Sequence, residues 1–369
     1  MRQETVSSRH LGQLLIIGFD GTEMSPRLAS LLTEIQPAGV ILFARNITGA
    51  EQTHRLLREC QKCVMTPLFT CVDLEGGKVD RFRNVIGPAP SAAEVFATGD
   101  RKLFREHGRV IGENCRALGF NVDFAPALDL AFEASRSVMS SRAVSANPRE
   151  VITYAREFLR GLQDASVLGC GKHFPGLGEA NLDTHHDLPS VDKPFNKMWE
   201  QDLIPYRTMR RELPFVMVSH AAFPSVTKDR APASLSKKWI TDILRKKIGY
   251  RGLVCSDDLE MGGVLAAAPI EQAAIGHIRA GGDLALICHQ EDFIRRAHEA
   301  MISEVERDRA FARRVQESAR RILAFKKKHL PPSRTPVPTA AKVEKLTRHL
   351  WEFGEEIRLA TLDREERGA

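Results

Sequence analysis

Residues 172–186 read KHFPGLGEANLDTHH and hold three histidines, an aspartate, a glutamate and a lysine within fifteen positions. Pro175, Gly176 and Gly178 exclude a helix there. Such a segment could bind a metal, move a proton or only turn a corner. Asp183 and His185 lie two residues apart. In locally extended chain, positions i and i+2 point the same way, so the carboxylate can hold one ring nitrogen while the other faces a substrate. A neighbouring carboxylate raises a histidine pKa and fixes the tautomer, which suits a proton donor near neutral pH. Zinc binding by His173, His185 and His186 competes with this reading, because imidazole suits zinc. No HExxH or similar helical spacing occurs, however, so neither a metal nor a cofactor is expected.

A second group is CSDDLEMGG, residues 255–263. Asp257 and Asp258 follow an apolar run, and adjacent carboxylates there cost free energy unless something needs them. A helix N-cap would explain one. The other should point into a site, where a carboxylate can attack an electrophilic carbon or stabilise a cationic transition state. The third group is CVDLEGGKVDRF, residues 71–82. Asp73 can accept hydrogen bonds from vicinal hydroxyls, and Gly76 and Gly77 allow close backbone approach. Arg81, and Arg142 further on, are either structural ion-pair partners or ligand donors.

These residues need elements to position them. Eight apolar runs recur, at residues 14–19, 39–44, 68–73, 120–130, 167–174, 214–220, 252–258 and 283–289, with helical patterns between them. Most are continuous in apolarity, as strands covered on both faces are. Eight β-then-α units in about 320 residues predict a (β/α)8 TIM-type barrel as a single catalytic domain. The runner-up, a doubly wound open sheet, lacks its GxGxxG turn. In such a barrel the chemistry sits where strands end. Asp73 and Glu75, Asp129 and Arg142, Lys172 and His173, His220, and Asp257 and Asp258 all fall there. The predicted catalytic domain spans residues 1–330. A proline-rich linker follows at 331–342. The tail at 343–369 repeats Val343, Leu346, Leu350, Phe353 and Ile357 at helical spacing, an amphipathic helix that packs on the barrel or on a partner.

Composition limits the remaining classes. Hydrophobic residues are 43% and charged residues 27%, as in a soluble globular protein. The net charge of +6 is concentrated near residues 312–330 and reads as a solvated helix face. Nucleic acid would call for a denser basic stripe with interleaved aromatics, and Tyr and Trp number three each. No run nears the roughly 18 apolar residues of a membrane helix, and the N-terminal run lacks a signal-peptide cleavage site. The expected location is the cytoplasm, with no membrane insertion. Of seven cysteines, Cys115, Cys170, Cys255 and Cys288 look like buried small hydrophobes. Cys60 and Cys63 form a CxxC without the second pair that a structural zinc site needs. One face of a helix or a redox pair explains it.

VDLEGGKVDRF, KHFPGLGEANLDTHHDLP and VCSDDLEM, in that order, resemble the signature blocks of glycoside hydrolase family 3. Within it they are most similar to the bacterial β-N-acetylglucosaminidases of cell-wall recycling. The resemblance runs from about Leu11 to Phe325. Leu177 stands where family loops usually have histidine, and Lys78 where they have arginine. The resemblance implies Asp257 as nucleophile and His185, paired with Asp183, as acid/base. It implies Asp73, Arg81, Arg142, Lys172 and His173 as the residues gripping a terminal N-acetylglucosamine. It also implies a chain without the second domain that supplies a carboxylate acid/base in the family's β-glucosidases, in keeping with the short tail.

The function this implies is retaining hydrolysis of terminal non-reducing β-linked N-acetylglucosamine, with a saccharide or muropeptide fragment as substrate. The sequence does not specify an oligomeric state. Rivals remain: another sugar specificity, attack by the substrate's own acetamido group, a metal-dependent barrel hydrolase, or a non-catalytic saccharide-binding protein. Phosphate as acceptor is a further alternative, since an imidazolium does not repel an anion as a carboxylate would.

Overall fold

A computed structural model describes residues 8–180, 188–330 and 335–368. Eight strands form a closed barrel. They are β1 (Leu15–Ile17), β2 (Gly39–Ile41), β3 (Phe69–Val72), β4 (Val122–Asp123), β5 (Leu168–Phe174), β6 (Phe215–Val218), β7 (Leu253–Asp258) and β8 (Leu284–Ile287). Each pairs in parallel with its sequence neighbours. The ring closes where β1 lies between β2, through Ile16 against Gly39, and β8, through Ile16 against Leu286. That closure excludes the open doubly wound sheet. The apolar runs follow from it, because barrel strands face side chains inside and helices outside.

The strands are shorter than the apolar runs. The sequence predicts one strand over residues 120–130, but the ladder keeps only Val122–Asp123. Pro126 offers no N–H to a neighbour. On either side of it the chain stays beside β5 through separate bonds, Cys170 N to Ala125 O at 2.8 Å and Leu128 N to Lys172 O at 2.6 Å.

Helices cover the outside, and their starts are written in the sequence. Asn147 accepts from Arg149 N at 3.0 Å and Pro148 opens the helix Pro148–Asp164, the expected cap-then-proline order. Asp308 ends the helix Glu291–Arg307 and caps Arg309–His329, accepting from Ala310 N at 2.7 Å.

The helix Arg309–His329 corrects in part the reading of its charges as a solvated face: Arg313, Arg320, Lys327 and Lys328 are exposed, but three others are not. Arg314 and Arg321 turn inward to the buried Asp283. Lys326 is buried under the barrel, donating to Gln13 Oε1 at 2.8 Å, and burial lowers its pKa to about 7. The helix Ala340–Gly368 packs back on the barrel: Leu346, Leu350, Phe353 and Ile357 are buried, and Phe353 stacks on His107 with ring centroids 5.9 Å apart. All seven cysteines are free. Burial pushes the Cys60 thiol up to about 12, so Cys60 is not the attacking thiolate of a dithiol pair. No helix among the described residues is long and apolar enough to cross a membrane.

Candidate active site

Immediately after β3 comes Asp73, and then a small hairpin of Leu74–Gly76 and Val79–Asp80. Gly76 and Gly77 turn it with φ of 82° and 59°. A Cβ on Gly76 would lie 2.0 Å from Pro90 O, so only glycine fits. The Asp80 carboxylate fixes the far side, accepting from Phe82 N and Ala89 N, both at 2.9 Å. Arg81 is thereby presented beside Phe43, its guanidinium carbon 5.6 Å from the ring centre. Among the described residues its buried Nε has no hydrogen-bond partner.

The hairpin also carries Glu75, the centre of a buried charge network. Arg142 grips it with two bonds of 2.8 Å, and Lys172 Nζ lies 2.6 Å from the same carboxylate. Lys172, within β5, also donates to Asp73 Oδ1 at 2.8 Å. Burial alone would raise the Glu75 pKa, but Arg142 and Lys172 outweigh it and hold the carboxyl well below its usual range. Burial alone would lower the Lys172 pKa, yet Asp73 and Glu75 raise it, so the ammonium stays charged. His173 Nδ1 lies 2.7 Å from Asp129 Oδ2, and its Nε2 lies 3.2 Å from Arg142 Nη2. Asp129 also accepts from Leu177 N at 2.7 Å, which anchors the start of the loop after β5.

At the end of β7 the two aspartates divide. Asp258 is occupied. Its Oδ1 accepts from Glu260 N at 3.1 Å, its Oδ2 lies 3.2 Å from His289 Nε2, and its carbonyl accepts from His220 Nε2 at 2.8 Å. It holds a turn rather than the helix N-cap expected of one of the pair. Asp257 forms no ion pair among the described residues; it accepts from Asp258 N at 2.9 Å. Burial would raise its pKa, but the electrostatic pull of His173, His220 and Lys172 outweighs burial and keeps the carboxyl below its ordinary value. An ionised, uncommitted carboxylate beside the Lys172 ammonium and two imidazoles is suited to attack or charge stabilisation.

Residues 7–325 match the glycosyl hydrolase family 3 N-terminal domain. The chain belongs to glycoside hydrolase family 3. A β-hexosaminidase from Idiomarina loihiensis is 33% identical over 279 residues, 74% of this chain and 83% of its own length. One from Bordetella parapertussis is 38% identical over 262 residues, 69% of this chain and 73% of its own. Among solved structures, a family 3 β-N-acetylglucosaminidase from Paenibacillus sp. aligns with TM-score 0.87 at 32% identity, covering 95% of this chain and 69% of that one. A β-N-acetylhexosaminidase from Beutenbergia cavernae aligns with TM-score 0.81 at 25% identity, covering 87% of this chain and 99% of that one.

In this family 3 glycosidase, Asp73, Arg81, Arg142, Lys172, His173 and Asp257 all lie at the C-terminal ends of the strands or in the loops that follow. Lys172 and His173 lie within β5, and Asp257 within β7. Arg142 pairs with Glu75, while Arg81 has an open donor. Asp183 and His185 lie outside the described residues, as does His186, so the pairing expected of the first two is not described. Among the described residues no group of three or more His, Cys, Asp or Glu could hold a metal ion.

The sequence reading placed Glu75, Asp129 and His220 at strand ends without giving them a task. All three are buried polar groups there, and that signal was available: a polar or charged side chain in an apolar context must be paired.

Proposed function

We propose that this glycosidase removes terminal non-reducing β-linked N-acetylglucosamine with retention of configuration. The observation that carries the reading is Asp257, ionised and free of ion pairs among the described residues, at the mouth of the barrel beside Lys172 and His173. In the first step a carboxylate oxygen of Asp257 attacks C1. The bond from C1 to the leaving oxygen breaks, and that oxygen takes a proton from His185. In the second step His185 takes a proton from water, the water oxygen attacks C1, and the ester to Asp257 breaks. Asp183 keeps His185 oriented and basic enough for both roles.

Asp73, Arg81, Arg142, Lys172 and His173 bind the sugar in this scheme. The buried pairing of Lys172 and Arg142 with Glu75 sets their donors before substrate arrives, so little is spent on ordering them. The open Nε of Arg81 is a donor awaiting an acceptor. We take fragments of peptidoglycan in the cytoplasm as the natural substrate; support comes from the similarity of the signature blocks to bacterial cell-wall-recycling enzymes.

The test is hydrolysis of an aryl β-N-acetylglucosaminide against the matching aryl β-glucoside, by wild type and by Asp257→Asn. The proposal expects a strong preference for the acetamido sugar and loss of turnover in the variant. Equal rates on both sugars would overturn the specificity, and an active Asp257→Asn would overturn the nucleophile.

A further inference from the structure

We infer that the ring pair Phe43–His289 is the subsite for the leaving-group sugar, a pyranose whose apolar face stacks on the exposed imidazole. This rests on the glycosidase reading proposed above. Phe43 follows β2 and His289 follows β8, on either side of the end of β1. Their rings stack with centroids 5.2 Å apart and planes 29° apart.

The ring is held rather than left to wander. Asp258 Oδ2 grips its edge at 3.2 Å, and Glu260 Oε1 accepts from His289 N at 2.6 Å and from Gln290 N at 3.0 Å. Arg45 ties the neighbouring loops, donating to Asp20 at 3.0 Å and to Cys288 O at 2.7 Å, with its guanidinium carbon 4.7 Å from the Phe43 ring centre. Yet 46% of the His289 side chain stays open to solvent. Ordering an exposed side chain costs conformational entropy and here wins little burial. A ring held in that way offers a ready stacking surface, as sugar and ligand sites do.

The location fits the chemistry. Asp258 directly follows Asp257, and consecutive Cα atoms are about 3.8 Å apart. The residue that orients the ring is thus the neighbour of the carboxylate proposed to attack C1. The rim formed by the loops after β2 and β8 adjoins the terminal-sugar residues through Arg81, whose guanidinium carbon lies 5.6 Å from the Phe43 ring centre, as a subsite next to the scissile bond must.

The test uses two substrates that share the N-acetylglucosaminyl group. One is the β-1,4-linked disaccharide, whose second ring reaches the rim. The other is the β-fluoride, whose leaving group is too small to touch it. The variants are Phe43→Leu, which keeps an apolar contact, and His289→Gln, which keeps a donor for Asp258. The readout is the ratio of kcat/KM on the disaccharide to kcat/KM on the fluoride, measured on one preparation so that any unfolded fraction cancels. Loss of ring stacking predicts that the ratio falls about five- to tenfold in each variant. A ratio within about twofold of wild type in both overturns the subsite. If wild type turns over neither substrate, the N-acetylglucosaminidase reading fails, and the subsite fails with it.

Discussion

Replacing Glu75 by glutamine takes one charge out of the middle of the site while keeping its outline. Glu75 is 4% exposed at its side chain and meets Arg142 at 2.8 Å twice and Lys172 at 2.6 Å. An amide oxygen in the place of Oε1 can still accept from Arg142 Nη2 and Lys172 Nζ, but the amide nitrogen in the place of Oε2 would face Arg142 Nε. Arg142 and Lys172 are both largely buried, and among the described residues Lys172 would keep only Asp73 as a charged partner. Hydrogen bonds to charged groups contribute about 1.5–3 kcal/mol each, and removing one partner of a buried pair costs about 3–5 kcal/mol. With two bonds retained but weakened by loss of the charge, and one donor left facing another, a loss of about 3 kcal/mol is expected. Taking about 2.1 cal/mol/K of unfolding entropy per residue over 369 residues, the melting temperature should fall by about 4 °C. Activity should fall as well, because Lys172 and Arg142 lose their common anchor. A double-mutant cycle with Lys172→Met isolates the pair: the double variant should lose about 2 kcal/mol less than the sum of the singles. Urea unfolding and thermal melts at pH 7 measure both. A loss under about 0.5 kcal/mol for Glu75→Gln, or strict additivity in the cycle, would refute the claim that this carboxylate organises the site.

Three further outcomes follow from the same structure. His185→Ala should slow substrates with poor leaving groups by about 10²–10⁴-fold and activated aryl glycosides far less, since those need little protonation; equal losses on both would contradict the acid role. His107 and His277 are buried, and burial lowers their pKa values to about 3 and about 4. The folded state keeps them neutral while the unfolded chain takes up protons below about 6.5. Stability is therefore whole above about pH 6.5 and is lost as pH falls toward the folded values, by up to about 1.4 kcal/mol per pH unit for each histidine. The urea midpoint should be lower at pH 5 than at pH 7, and an unchanged or higher midpoint would contradict this. On the final helix, Phe353→Ala should cost about 3–5 kcal/mol, while Trp351→Ala, at a position 67% exposed, should stay within about 0.5 kcal/mol; similar melts for the two variants would show that this helix does not pack as described.

The barrel was readable because a strand buried on both faces cannot hide its composition. All eight apolar runs became strands, though β4 ended early, at Asp123, and the chain beyond it keeps only separate bonds to its neighbours. The tail helix was readable from spacing alone, but which surface covered Leu350 and Phe353 was not, since His107 lies far away in sequence. Charge was harder. Arg314, Arg321 and Lys326 belong to a run that looks solvated, and only the barrel's lower end, with Asp283 and Gln13, draws them inward. The same holds at the site. Arg142 meets Glu75 across 67 residues of chain, and no local pattern couples them. Asp257 and Asp258 look equivalent in SDDL; it takes His289 and His220, from other strand ends, to occupy one and leave the other open.

The central claim is that Asp257 forms a covalent bond to the sugar. The direct measurement is peptide mass mapping after incubation with a 5-fluoro glycosyl fluoride of N-acetylglucosamine, which slows the second step and lets the intermediate accumulate. The account predicts one added glycosyl mass on the peptide carrying Asp257, absent in Asp257→Asn. A glycosyl mass on another residue, or rapid turnover with no adduct at all, would contradict it and favour attack by the substrate's own acetamido group.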